Sequence, residues 1–393
     1  MTDAERPAGS GTPAADAPPV SALHPSASSV SRIAVPLSRP ALRQMLALVR
    51  LLHRLTQQSA YRALVYPLVP VSARFDPGHD AVMMGYDFHV TADGPHLIEV
   101  NTNAGGFLPA SAAACPGLGA FPDNLPGRTR ERLLASFAAE FAAFSRSQTT
   151  RPRRILIVDE DPPSQFLHAE MRGFASLLAD WGVTTALADP AEVAADEQGV
   201  FWRGEPVDLI YNRHCDFYLE TAAMAGLRAA YLAGKVCLTP NPHTYGLLAD
   251  KRRLALWSDP QTLAGLQLPA AARELCQQLI PSSQLLADMP REQAWEERKK
   301  LVFKPVTHYG SKGVLLGTGM SRRRFEALPA EETLVQQLVP PALTESTEFG
   351  PMKTDLRLYA YRDRLLGITA RLYRGQVTNM RTPGGGFAAV QLV

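Results

Sequence analysis

The sequence predicts an α/β protein with α+β elements, and three observations predict it. Strand and helix patterns alternate through residues 154–211, as in a small doubly wound sheet. Residues 85–106, GYDFHVTADGPHLIEVNTNAGG, hold two alternating runs around the turn sequence Ala92-Asp93-Gly94-Pro95. Residues 301–317, LVFKPVTHYGSKGVLLG, hold an apolar strand, a lysine, a glycine-bearing loop and a second strand.

Taken in order, residues 1–30 are rich in Ala, Pro, Ser and Gly and nearly free of large apolar side chains, which predicts a disordered tail without a signal-peptide core. Ser38 can cap a helix with Pro40 in its first turn, and Leu42, Met45, Leu46, Val49, Leu52 and Leu55 recur at helical spacing. The acidic hairpin follows. A second helix is predicted over 128–145, where Leu133, Leu134, Phe137, Phe141 and Phe144 share a face, and 147–153 reads as a linker. The run Ile155-Leu156-Ile157-Val158 opens the doubly wound unit with a buried strand, a helix at 165–180 and a strand at 184–188. Beyond it lie a helical pattern bearing Asp250-Lys251, the lysine hairpin, a strand at 333–339 and alternating strands at 353–361 and 365–372. Asn379 and the run Gly384-Gly385-Gly386 close the chain.

The side chains suggest chemistry. On a hairpin with that turn, Asp87 and Glu99 occupy adjacent strands, and Asn101 shares the face of Glu99. Two carboxylates and an amide oxygen suit a hard cation such as Mg²⁺, with Mn²⁺ as an alternative; an exposed hairpin with a polar face is the other reading. Lys304 ends a strand before the loop carrying His308, Gly310, Ser311 and Gly313, whose backbone amides can approach phosphates. The chain has no lysine before Lys235, yet Lys251 and Lys304 stand at two such places; for Lys251 a solvated helix position is the alternative. Asn212, Arg213 and Asp216 cluster beyond a strand's C-terminal end, where open α/β sheets place ligands. Arg213 can fork onto a substrate carboxylate, or the three can form a turn network.

These motifs resemble those of the ATP-grasp superfamily, whose fold is that of glutathione synthetase-like ATP-binding proteins. The family's metal-binding hairpin normally follows its nucleotide lysines; here it precedes them, so the resemblance implies a circularly permuted member. It implies that Lys251 and Lys304 hold ATP phosphates under the loop of His308, Gly310, Ser311 and Gly313. Gln336, Gln337, Leu338 and Val339 would face adenine and ribose, with Glu345 or Glu348 as alternatives at the ribose. Asp87, Glu99 and Asn101 would hold the metal. Arg357 in an Asp-x-Arg strand and Arg371 as the transition-state arginine would join Lys304 in catalysis, and Asn379 and Gly385 would lie near substrate. The implied organisation is a tail at 1–30, the permuted part at 31–146, a pre-ATP-grasp α/β domain at 154–240, the small subdomain at 241–335, and the large subdomain at 336–393 completed by 31–146.

Composition bounds the function. A net charge of +2 with dispersed arginines implies no nucleic-acid surface. No apolar stretch reaches the roughly 18 residues of a membrane span. Cys115, Cys215, Cys237 and Cys276 have no metal-ligand spacing and fit a reducing cytoplasm as buried small side chains. The resemblance implies an ATP-dependent ligase acting on small-molecule or peptide carboxylates and amines (or thiols), with a homo-oligomer compatible. A small-molecule kinase or a non-catalytic nucleotide-binding protein on the same fold is the alternative.

Overall fold

The protein is described from a computed structural model covering residues 30–115, 125–307, 313–380 and 382–393. Its first element is a strand, β1 (Val30–Leu37), for which the sequence reading gave no element. Pro36 argues against a central strand because it cannot donate to a ladder, but β1 lies at a sheet edge, where proline is tolerated. Helix α1 (Arg39–Thr56) starts as predicted, with the Ser38 hydroxyl accepting from the Ala41 amide. In its apolar stripe Met45, Leu48, Leu52 and Leu55 are fully buried, and Leu42 and Leu46 partly so. The hairpin follows as β2 (Met84–Thr91) and β3 (Gly94–Asn101). Helices α2 (Phe107–Ala113) and α3 (Gly127–Ser145) complete the front third.

The middle segment forms a four-stranded parallel sheet. Strands β4 (Arg154–Val158), β5 (Thr184–Ala188), β6 (Leu209–Asn212) and β7 (Cys237–Thr239) stand in the spatial order β7-β6-β4-β5. Helix α4 (His168–Asp180) runs between β4 and β5. Strands β4 and β6 are buried throughout their apolar residues, as continuous hydrophobic runs in a parallel sheet require.

Helices α5 (Arg252–Ser258) and α6 (Ala270–Leu279) bury Trp257 and Leu279 in the same core as α1 and the hairpin. A separate antiparallel sheet then forms from β8 (Ser283–Leu285), β9 (Leu301–Pro305), β10 (Leu315–Leu316) and β11 (Thr333–Gln337), in the order β8-β11-β9-β10. It has its own small core around Phe303, Phe325 and Val335.

The last segment supplies β12 (Ala342–Thr344), β13 (Met352–Tyr361), β14 (Arg364–Tyr373) and β15 (Gly386–Leu392). These join the front strands in one seven-stranded sheet, β1-β15-β14-β13-β2-β3, with β12 also on β13. The two ends of the described chain are therefore neighbours. Strands β1 and β15 run parallel with Val35 opposite Val390, and the Arg39 amide donates to the Val393 carbonyl at 3.0 Å. Among the described residues no helix is long and apolar enough to cross a membrane.

Candidate functional site

The β2–β3 ladder sets the site. Asp87 stands opposite Glu99, and Gly85 opposite Asn101, but the register shifts between Asp87 and Phe88, so that Phe88 pairs with Leu97. Ile98 is thus an extra residue, a β-bulge. In an unbroken ladder Leu97 and Glu99 would share a face. The bulge lets Leu97 enter the core beside Phe88 while Glu99, half-buried, faces a cavity. It also frees the Ile98 carbonyl, which accepts from Lys304 Nζ at 2.9 Å.

Strand β13 brings Asp355 and Arg357, two apart and so on one face, against this pair. Arg357 lies opposite Asp87, and Asp355 opposite Arg371 of β14. The Arg357 fork donates from Nε to Asp87 Oδ1 at 2.6 Å and from Nη2 to Oδ2 at 2.7 Å. Arg371 Nη2 reaches Asp87 Oδ2 at 2.9 Å, and its Nε donates to Asp355 Oδ1 at 2.5 Å. Asn101 Nδ2 donates to Asp87 at 3.2 Å and to Glu99 at 3.1 Å. Burial alone would raise the Asp87 carboxyl, but Arg357 and then Arg371 outweigh it and hold it well below the usual carboxylate range.

A cavity of about 100 Å³ separates this network from the lysine sheet. Lys304, Gln336, Gln337, Leu338 and Val339 line one side, with Val302, Val314 and Leu316 as apolar wall; Asp87, Glu99, Asp355 and Arg371 line the other. Lys304 Nζ also donates to Gln336 Oε1 at 2.7 Å, and Gln336 Nε2 to the Ser283 hydroxyl at 3.2 Å. The Gln337 and Leu338 amides are already spent on the Ser282 and Lys300 carbonyls, and the Val339 carbonyl accepts from His89 Nδ1 at 2.7 Å. Glu345 and Glu348 are exposed and line neither this cavity nor the larger one beside it. Gly313 holds φ at +76°, a left-handed conformation that favours glycine. His308, Gly310 and Ser311 lie outside the described residues.

Burial pushes the Lys304 ammonium down to about 8, with Glu99 opposing and Lys251 adding to the shift. A bound polyanion stabilises the charged form and raises that value. Nucleotide binding at about pH 8.5 is therefore expected to take up a proton, with affinity falling as pH rises through the free-protein value. Calorimetry of ATP binding in buffers of different ionisation enthalpy measures this uptake, and Lys304→Met should abolish it and weaken binding. Unchanged affinity in both Lys304→Met and Lys251→Met would remove the lysines from the nucleotide site.

A larger cavity of about 650 Å³ adjoins the first, and Glu99, Arg371 and Thr378 line both. Arg357, Lys251, Asn101, Asn379 and Arg213 also face it. Lys251 is placed by a well-anchored turn: Asp250 accepts from the Tyr218 hydroxyl at 2.6 Å and from Arg252 at 2.9 and 2.8 Å. Arg213 is buried, with Nη1 at 3.4 Å from the Tyr211 hydroxyl and Nη2 at 3.5 Å from Glu170. Glu170 in turn accepts from the Gly106 amide at 2.9 Å and the Leu108 amide at 3.1 Å. Gly106 adopts φ +93°, and a Cβ there would lie 2.0 Å from Phe387. Glu170→Ala strands two amides and Arg213 at once, so it is expected to cost about 3 kcal/mol or more in denaturant unfolding.

The structure brings Asp87, Glu99, Asn101, Lys251, Lys304, Arg357 and Arg371 to the two cavities. It separates the residues read as substrate-binding. Arg213 and Asn379 line the large cavity, whereas Asn212, Asp216 and Gly385 do not. Asn212 Oδ1 accepts from the His214 amide at 3.1 Å, and Asp216 accepts from the Glu220 and Thr221 amides at 3.0 and 2.7 Å. These side chains hold the turn in place. Gly385 serves chain packing, since a Cβ there would meet the Leu372 carbonyl oxygen at 2.4 Å. Asp159, which the sequence reading passed over, lines the large cavity beside Arg213. Its place just past the end of β4 was the available signal. Burial raises its carboxyl to about 6 despite Arg213.

As a cation site the donors are mixed. Among the described residues no three His, Cys, Asp or Glu side chains converge to hold a metal. Glu99 and the amide of Asn101 reach the cavity, while Asp87 can contribute only after surrendering a donor it now accepts from. An oxygen set of this kind, with few protein ligands, fits Mg²⁺ shared with phosphates.

No family profile matches the sequence, and no curated protein matches it. Among solved structures, the fold is similar to that of a Methylobacillus flagellatus KT protein named "Putative gamma-glutamylcysteine synthetase". The TM-score is 0.50 at 12% identity, over 91% of this chain and 90% of that one. At that identity the likeness is one of fold.

Proposed function

We propose that this chain is an ATP- and Mg²⁺-dependent ligase that joins a carboxylate to an amine, or to a thiol, through an acylphosphate, on a circularly permuted ATP-grasp fold. One observation carries the reading: Glu99, Arg371 and Thr378 form a common wall of a small cavity beside the buried Lys304 and a large one holding Arg213. A phosphoryl group handed from one cavity to the other must pass that wall. The permutation is supported by the sheet, in which front strands β2 and β3 extend the strands of the last segment, and β1 pairs with β15. The ligase class accords with the name of the Methylobacillus flagellatus protein of this fold.

In this reading Lys304 and Lys251 hold the nucleotide phosphates, and the apolar wall of Val302, Val314 and Leu316 takes the base. Glu99, Asn101 and a released Asp87 would hold Mg²⁺, which would supply charge neutralisation to the nucleotide phosphates. A substrate carboxylate attacks the γ-phosphorus, the bond to the β-phosphate oxygen breaks, and ADP leaves. An amine then attacks the acyl carbon and phosphate departs. Arg371 offsets the charge on the phosphoryl group and then on the tetrahedral oxyanion. Arg213 suits a remote substrate carboxylate, and Asp159 beside it suits an ammonium.

A kinase would share this phosphate machinery. A cavity of about 650 Å³ beyond the nucleotide site leaves room for two small substrates, which favours the ligase. Product analysis tests it. With pools of amino acids, peptides and amines, a ligase yields ADP, phosphate and an amide or thioester. A stable phosphorylated acceptor would replace this reading with a kinase, and absence of nucleotide turnover with any pool would leave a binding protein.

A further inference from the structure

Asp87 is the most deeply buried of the three residues assigned to the cation, and its charge is already matched. Four donor contacts converge on it: Arg357 Nε on Oδ1, and Arg357 Nη2, Arg371 Nη2 and Asn101 Nδ2 on Oδ2. Oδ2 thus serves three donors with two lone pairs. Arg357 is fixed in place, since its Nη1 also donates to the Gly105 carbonyl at 3.1 Å and its stem packs on Gly85. Arg371 is the partner that can leave. It lines both cavities, and Asp355 would keep the Thr378 hydroxyl at 2.6 Å if Arg371 moved.

We propose that Arg371 occupies the cation position at Asp87 until nucleotide arrives, so that a free divalent ion is excluded and enters only together with the phosphates. The proposal rests on the metal assignment made above. The charges around the site support it: Arg213, Lys251, Lys304, Arg357 and Arg371 line the two cavities with Asp87, Glu99, Asp159 and Asp355, five cations against four carboxylates. A bare divalent ion meets a net positive pocket. A nucleotide reverses that sign and offers Arg371 a second anion, the γ-phosphate. Arg371 then exchanges Asp87 for the phosphoryl group, and once Asn101 also turns its Nδ2 away to offer its amide oxygen to the ion, Arg357 alone remains on Asp87 Oδ2 and one lone pair there is free for the metal. Loading the metal and placing the transition-state arginine become one step.

Mn²⁺ binding followed by electron paramagnetic resonance tests this without turnover. Nucleotide-free wild-type protein should bind Mn²⁺ weakly, and a non-hydrolysable ATP analogue should tighten binding about tenfold or more. Without nucleotide, Arg371→Met should bind Mn²⁺ about tenfold more tightly than wild type, because the competing charge is gone. The gain should survive in the double variant Arg371→Met/Asp355→Asn and vanish in Arg371→Met/Asp87→Asn. Equal affinity of wild type and Arg371→Met overturns the exchange while leaving the metal assignment standing, whereas a gain that persists without Asp87 overturns the exchange and removes Asp87 from the metal donors. Tight Mn²⁺ binding by nucleotide-free wild type overturns it without any variant. Failure of wild type to bind Mn²⁺ even with the analogue overturns the metal assignment and the exchange together.

Discussion

Glu99→Gln is expected to give a folded protein whose turnover falls at least about a hundredfold. Glu99 is the carboxylate that stands on the wall common to both cavities, and of the two carboxylates assigned to the metal it is Asp87 that Arg357 and Arg371 hold. Removing the Glu99 charge weakens the cation where negative charge on the transferring phosphoryl group is greatest. The fold should survive because glutamine is nearly isosteric, Glu99 is only half-buried, and its bond from Asn101 Nδ2 can be kept by the amide oxygen. Glu99 also supports the charge on Lys304, so the variant should lower that ammonium further and move the proton uptake on ATP binding to lower pH. Initial rates of ADP release, with thermal unfolding as the control for folding, check this. Turnover near that of wild type would sink the assignment of Glu99.

The acidic hairpin and the lysine strand were legible because each is local: alternation, turn residues and strand length lie within about 20 consecutive residues. What was not legible depends on distant segments. Nothing in residues 94–101 announces that Ile98 is a bulge; the requirement comes from Leu97 needing the core beside Phe88 while Glu99 faces the cavity. Nor does the sequence show that Asp87 is bound by Arg357 across 270 residues. A free carboxylate at 87 reads as a metal ligand, whereas the folded one is already neutralised.

Strand β1 was missed for a related reason. Its Pro36 is acceptable because the last strand supplies one neighbour and, among the described residues, no strand pairs with its outer edge. The Asn212–Asp216 cluster shows the opposite case. Its position beyond a parallel strand was read correctly, yet turn chemistry consumes Asn212 and Asp216 and leaves Arg213 to the cavity. Asn and Asp bond readily to nearby amides, while a long guanidinium has no such local outlet.

Arg371→Ala is expected to lower kcat by about a thousandfold while changing the KM for ATP by only about threefold. In the proposed reaction the lysines hold the ground-state phosphates, so nucleotide binding should survive. The charges Arg371 answers, on the pentavalent phosphoryl group and then on the tetrahedral oxyanion, exist only in transition. Arg371→Lys should recover part of the loss, because it keeps the charge but not the fork that now spans Asp87 and Asp355. Equal losses in kcat/KM and in ATP affinity would instead make Arg371 a ground-state phosphate ligand. The reaction it serves is read isotopically. With ¹⁸O in the substrate carboxylate, attack on the γ-phosphorus puts one labelled oxygen into the acylphosphate bridge. The amine then breaks the acyl carbon–oxygen bond, so the label leaves in phosphate. Label in released phosphate for wild type, and a proportionate loss of both label transfer and ADP in Arg371→Ala, are the expected results. Unlabelled phosphate would mean that water, not the substrate carboxylate, receives the phosphoryl group, and the acylphosphate route would fall.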